Sequence, residues 1–149
     1  VVKVGGATEI ETKERMERAE DAILATKAAL KDGIIPGGEI VYLSLNKVLK
    51  PKTEHEEFAY RIIRKALKAP FIRLVENAGL NSGELIAALR VKEFGAGVNV
   101  ETGKIENMVR SGVIDPARVA IEAFKNAVSV AISMTTSDGV ICQIEEEKK

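Results

Sequence analysis

The stretch ETKERMERAEDAILATKAALKDG, residues 11–33, decides how the rest of this 149-residue chain is arranged. It is the longest uninterrupted helical pattern near the start of the sequence, and Gly33 closes it. At about 100° per residue, Met16, Ala19, Ile23 and Leu30 fall on one apolar stripe. Asp21 projects from another side, together with Ala25 and Ala28. A carboxylate on a face of small residues leaves room for a backbone or ligand to approach, which suits an acid that must reach a water or a metal ion. The alternative is a solvated surface acid paired with Arg18 one turn earlier, worth about 0.2–0.5 kcal/mol.

Downstream, Gly33-Ile34-Ile35-Pro36-Gly37-Gly38 ends this helix and opens a second, expected from about Gly38 to Leu49. Gly37 and Gly38 at a helix start let a ligand approach the backbone with no Cβ in the way, and free amides there favour polar or anionic groups. A plain helix cap and turn is the alternative. Upstream, Val1 to Val4 reads as a short strand ending at Gly5-Gly6, and Thr8 to Glu11 as a second extended piece. A strand entered in its middle, with no initiator Met, is expected of a piece of a longer protein.

Further along, residues 52–57 read as a polar turn holding His55, the only histidine. The spacing of Phe58, Ile62 and Ala66 predicts an amphipathic helix from Glu56, and Pro70 starts another through Ala78 that Gly79 ends. Asn81 and Glu84 have capping-box spacing ahead of a helix expected from Ser82 to about Phe94. Residues 98–105 predict a hairpin turned by Thr102-Gly103, with Asn99 placed where its amide could read a polar ring edge or simply hold the turn. Asp115-Pro116 predicts a helix start with Asp115 as the cap, worth roughly 1 kcal/mol. The helix that follows, from Ala117 to about Met134, is apolar on nearly every side and so is expected to be buried. A last apolar strand is expected over residues 140–144.

Composition narrows the function classes. Formal net charge is zero, aromatics make up 4% and Trp is absent, which argues against a nucleic-acid partner. No apolar run approaches the length of a membrane span, no signal peptide is expected, and the single Cys142 cannot form an intrachain disulfide. His55 has no cysteine or acid spacing around it that would make a metal cage, so no metal ligand is expected in this chain. The default is a soluble cytoplasmic protein.

Two long strings carry a family resemblance. KVGGATEIETKERMERAEDAILATKAALKDGIIPGG, residues 3–38, and GVNVETGKIENMVRSGVIDPARV, residues 97–119, resemble the chaperonins, above all the bacterial GroEL-type (group I) family. The resemblance covers essentially the whole chain, in family order and at family spacing. It implies a mainly α fold, a helical bundle of the chaperonin equatorial-domain type with short strands and a small hairpin. Residues 1–31 would belong to the intermediate, hinge-like domain, and residues 32–149 to the C-terminal half of the ATP-binding equatorial domain. It also implies that Asp21 activates water for ATP hydrolysis, Gly37 and Gly38 touch the nucleotide, Asn99 and Val100 meet the base, and Asp115 meets the ribose.

The implied cofactors are ATP and Mg²⁺. The family's phosphate loop, whose Asp holds magnesium, has no counterpart here, nor does the apical domain that grips unfolded clients and co-chaperonin. The parent would be an ATPase coupled to protein folding in a homo-oligomeric double ring, and the isolated chain is expected to be inactive. Two departures stand out. Glu39 occupies the place of a usual third glycine, and Val100-Glu101 replaces a pair of alanines, so only a main-chain contact is expected there. The Val-Glu-Thr-Gly-Lys pattern, residues 100–104, leans toward archaeal-type (group II) members. The alternative functions are a group II chaperonin fragment or a non-catalytic helical assembly module.

Overall fold

The structure, a computed structural model, describes residues 1–139 and residue 141. Its first element, α1 (Glu9–Asp32), begins three residues before Thr12, where the sequence pattern starts it. Thr8 caps it by accepting from the Glu11 amide at 3.2 Å, while the Glu11 carboxylate accepts from the Ala7 amide at 2.8 Å. This reciprocal capping box replaces the extended piece expected over Thr8 to Glu11. Val1 to Val4 form no strand either, and no strand among the described residues pairs with them. Instead Val2 and Val4 share a groove with Met16, Ala19 and Ile23, and Arg15 Nη1 donates to the Gly5 carbonyl at 2.7 Å. No residue of α1 is buried, and Leu30 is 84% exposed.

Gly33 ends α1 in a left-handed turn, φ 85°, its amide donating to the Ala29 carbonyl at 2.9 Å. The chain then forms β1 (Ile34–Pro36), which pairs antiparallel with β4 (Ile114–Pro116) in the register Ile35 to Asp115. This pairing overturns the expected capping role of Asp115. The β-ladder and the Ala117 amide, bonded to the Gly33 carbonyl at 3.0 Å, already fix the chain at that point. Pro116 therefore takes the N-cap position without a side-chain cap, and α6 (Ala117–Thr135) starts at Ala117.

Between the paired strands lies a compact helical unit. α2 (Ile40–Leu45) is shorter than expected, since residues 46–48 tighten into a turn in which Lys47 and Val48 donate three residues back. α3 (Glu54–Ala66) starts at the Thr53 cap, which puts His55 in its first helical turn rather than in a loop. α4 (Ala69–Asn77) and α5 (Ser82–Leu89) follow, the latter capped by Asn81 Oδ1, which accepts from the Gly83 and Glu84 amides. α5 stops at Leu89, short of Phe94. The hairpin β2 (Ala96–Asn99) and β3 (Lys104–Asn107) forms as expected, with Val98 facing Ile105.

The core sits here. Ile40, Phe71, Val75, Leu89, Val98 and Met108 are buried together, drawn from α2, α4, α5 and the hairpin region. α6 lies outside it, packed against α1 and β4 and joined to α2 where Tyr42 donates to the Ala120 carbonyl at 2.9 Å. The expected burial of α6 does not hold within the described residues, where none of its side chains is buried and Val130 is 58% exposed. Among the described residues, α6 has its main packing partners in α1 and β4, which leaves much of its apolar surface uncovered. The strand expected over residues 140–144 lies, apart from Ile141, outside the described residues. No helix among them is long and apolar enough to cross a membrane.

Candidate functional site

The loop from Gly37 to Glu39 is held between two distant parts of the chain. The Gly37 amide donates to the Val113 carbonyl at 2.9 Å, which continues the β1–β4 ladder. A Cβ on Gly37 would lie 3.1 Å from the Val113 carbonyl carbon, so a side chain there would push β4 away. Gly38 takes φ 70° and faces the hairpin, where a Cβ would lie 3.2 Å from Met108 Cε and 3.7 Å from the Val98 carbonyl oxygen. The fold thus brings Val98 of β2 to Gly38 and the start of β4 to Gly37, with Asp115 of β4 within electrostatic reach of Glu39, whereas the Asn99 side chain bonds only within the hairpin. Val100, half-buried, follows in the hairpin turn.

Electrostatics sharpen this picture. Among the described residues Glu39 is the only non-glycine residue with positive φ, 61°, and it is half-buried. Burial first, and then the charge of Asp115, push its carboxyl above the ordinary carboxylate value. Partial desolvation raises Asp115 as well. Tyr42 is pushed up by burial and then by Glu39 and Asp115, which keeps its phenol neutral and donating. Two carboxyls short of donors repel a bare anion but accept hydrogen bonds from hydroxyl groups, which would favour their charged forms.

Asn99 is more constrained than its sequence position suggests. Its Oδ1 accepts from the Glu101 amide at 3.0 Å and its Nδ2 donates to Glu106 Oε1 at 2.6 Å, so the amide is already engaged in the hairpin. Asp21 stands apart. It is exposed on α1, about 16 Å back along the axis from Asp32 at 1.5 Å per residue. Its supposed partner Arg18 bonds Glu14 instead, at 2.8 Å. No three His, Cys, Asp or Glu side chains among the described residues cluster as a metal cage would require.

The group missed by sequence reasoning is the coupling of Glu39, Tyr42 and Asp115. Its signal was the glutamate standing where the resembled family carries a third glycine, a place where the backbone turns left-handed. Glu39→Gly should relieve roughly 1–2 kcal/mol of left-handed strain against a glycine entropy cost of about 0.5–1 kcal/mol. Because both carboxyls are raised in the folded chain, the fold holds protons more tightly than the unfolded chain. Stability from this source is present below the ordinary carboxylate value, about pH 4, and falls as pH rises through the raised values. Urea midpoints across this range should therefore be higher for Glu39→Gly at neutral pH, with a shallower decline. An unchanged or lower midpoint at pH 7 would contradict the strained, repelled state of Glu39.

This mainly α architecture, with its glycine loop, hairpin and two small antiparallel sheets, is of the chaperonin equatorial-domain type. The TCP-1/cpn60 chaperonin family profile matches residues 1–145, and the chain belongs to that family. It is similar to the protein named chaperonin GroEL of Mycoplasma pneumoniae, 40% identical over 163 residues that take in 100% of this chain and 30% of that protein. The chaperonin GroEL of the Wolbachia of Drosophila simulans is 44% identical over 153 residues, 99% of this chain and 28% of the relative. That of the Wolbachia of Culex pipiens is 43% identical over 155 residues, again all of this chain and 28% of the relative. The chain thus spans less than a third of the length of these relatives.

Proposed function

We propose that this chain carries part of the ATP site of a GroEL-type chaperonin, an ATPase that assists protein folding in the cytoplasm as a homo-oligomeric double ring. The observation that supports the reading is that the Val98 carbonyl of β2 lies against Gly38 while the charge of Asp115 in β4 reaches the adjoining Glu39, so three separated stretches of sequence meet at the glycine loop. Residues 1–31 would be the end of the hinge domain and residues 32–149 half of the nucleotide-binding domain. Clients and co-chaperonin would be engaged by parts of the subunit beyond this chain.

ATP with magnesium supplies a transferable phosphoryl group when bound. Around it, Gly38 allows close backbone approach, with Gly37 fixing the loop to β4, and Asp115 accepts from a ribose hydroxyl. Since its amide is engaged within the hairpin, Asn99 borders the base mainly by its main chain, beside Val100. Asp21 orients the attacking water and takes its proton. The helix α1 is uninterrupted over 24 residues and tied at its end by the Arg118 to Asp32 pair at 3.4 Å. It can therefore act as a stiff arm that swings Asp21 onto the nucleotide as the hinge closes.

Asp115→Ala in the full-length protein tests the binding half of this reading. Loss of a hydrogen bond to a charged group is worth about 1.5–3 kcal/mol, so ATP affinity measured by calorimetry should fall roughly tenfold or more. Unchanged affinity would remove Asp115 from the site and favour the reading of the acids and glycines as turns and caps of an assembly module.

A further inference from the structure

Two Asp-Gly steps occur in this chain, Asp32-Gly33 and Asp138-Gly139. An aspartyl carboxyl can close onto the backbone nitrogen of the next residue, and glycine, with no Cβ, obstructs that closure least. The fold treats the two steps differently. At the end of α1 the Gly33 amide donates to the Ala29 carbonyl at 2.9 Å, and Asp32 Oδ2 is paired with Arg118 Nη1 at 3.4 Å. Nitrogen and carboxyl are each held by another group. Past α6, the Thr136 amide donates to the Ile132 carbonyl at 3.0 Å and the Ser137 amide to that of Met134 at 3.4 Å. Asp138 and Gly139 follow, exposed and outside any helix or strand, with no hydrogen-bond or ion-pair partner among the described residues. Crowding does not separate the two steps, since a Cβ on either glycine would meet nothing within 4 Å.

We propose that Asp138-Gly139 is a site of spontaneous isoaspartate formation, and that its hydrogen bond and ion pair protect Asp32-Gly33 from the same reaction. The Gly139 nitrogen attacks Asp138 Cγ, the carboxyl hydroxyl leaves with the amide proton as water, and a five-membered imide results. One water then adds back. Opening at the side-chain carbonyl restores aspartate, whereas opening at the main-chain carbonyl leaves the chain linked through Cγ as an isoaspartyl residue. No oxidant or other co-reactant is consumed. The product routes the main chain through Cβ, which adds one methylene between α6 and the residues after Gly139. The other two aspartates are excluded by their neighbours. Asp115 precedes Pro116, whose nitrogen carries no proton to lose, and Asp21 precedes Ala22 in the interior of α1, where the amide is committed to the helix. The site is separate from the glycine loop and does not depend on the nucleotide reading.

The test is to age the full-length protein for weeks near neutral pH, one sample native and one in concentrated urea, then digest both and distinguish isoaspartyl from aspartyl by electron-transfer fragmentation. In the native sample isoaspartate at Asp138 should exceed that at Asp32 roughly tenfold or more, because the Asp32 step reacts only while its end of α1 is open. In urea, where both steps have lost their local structure, the two should accumulate within about threefold of each other. The comparison is made within one unaltered molecule, so no variant has to fold. Equal accumulation at both steps in the native sample would overturn the protection of Asp32. No isoaspartate at Asp138 in the native sample would overturn the site, including the case in which another part of the full-length subunit covers it. A tenfold difference that persists in urea would place the selectivity in the flanking sequence and overturn the role given to the fold.

Discussion

Asp21→Ala in the full-length protein is expected to leave ATP affinity nearly unchanged while single-turnover hydrolysis falls about 10²–10⁴-fold, the usual loss when a positioned general base is removed. Asp21 lies roughly 16 Å along α1 from the strands that carry the glycine loop, so in the proposed reading it does not hold the nucleotide before the hinge closes. The surface-pair alternative has lost its partner, since Arg18 is bonded to Glu14 at 2.8 Å. An exposed acid without a pair normally contributes within about 0.5 kcal/mol of stability, and nothing to turnover. The two readings thus differ by orders of magnitude in rate. Wild-type hydrolysis in the variant would remove the catalytic role, and lost affinity with unchanged chemistry would make Asp21 a binding residue.

Phe71→Ala should cost about 3–5 kcal/mol, the range for deleting a large ring from a packed interior. Phe71 is 0% exposed and belongs to the same buried cluster as Val75, Ile40, Val98 and Met108. Marginal domains hold only about 5–15 kcal/mol in total, so the variant should unfold at far lower urea. The effect should reach the site as well. Ile40 directly follows Glu39, and Val98 directly precedes Asn99, so a cavity beneath them loosens both walls that face Gly38. A urea midpoint shift equivalent to less than 1 kcal/mol would mean that this cluster is not what holds the loop and hairpin together.

Much of the fold was written locally. The apolar stripe and Gly33 delimit α1, Asn81 with Glu84 starts α5, and Thr102-Gly103 turns the hairpin, each by interactions within a few residues. The errors had two sources, a local cap outweighing strand propensity and distant chain outweighing a local signal. Thr8-Glu9-Ile10-Glu11 has β-forming residues, yet its Thr and Glu three apart cap a helix. Asp115-Pro116 carries a strong helix-start signal, yet pairing with Ile35, far earlier in the sequence, draws Asp115 into a strand. The all-round apolar pattern of α6 could say that it seeks cover and not what covers it.

The candidate site was legible through family resemblance rather than through residue chemistry, because a glycine pair, a turn Asn and an Asp before Pro each have an ordinary structural use. What resemblance left open was the local environment. The bonding of the Asn99 amide to Glu106 is a cross-strand contact that follows from the hairpin register, whereas the burial of Glu39 beside Asp115 depends on tertiary contacts that no spacing encodes. The left-handed backbone at Glu39 was half visible, as a glycine missing from its usual place.

Whether the glycine loop, the hairpin end and Asp115 form one nucleotide site is tested most directly by amide hydrogen exchange of the full-length protein with and without ATP. Joint protection of residues 33–39, 97–101 and 113–116 on addition of ATP is the predicted result. Exchange unchanged across all three segments, while ATP is bound, would contradict it.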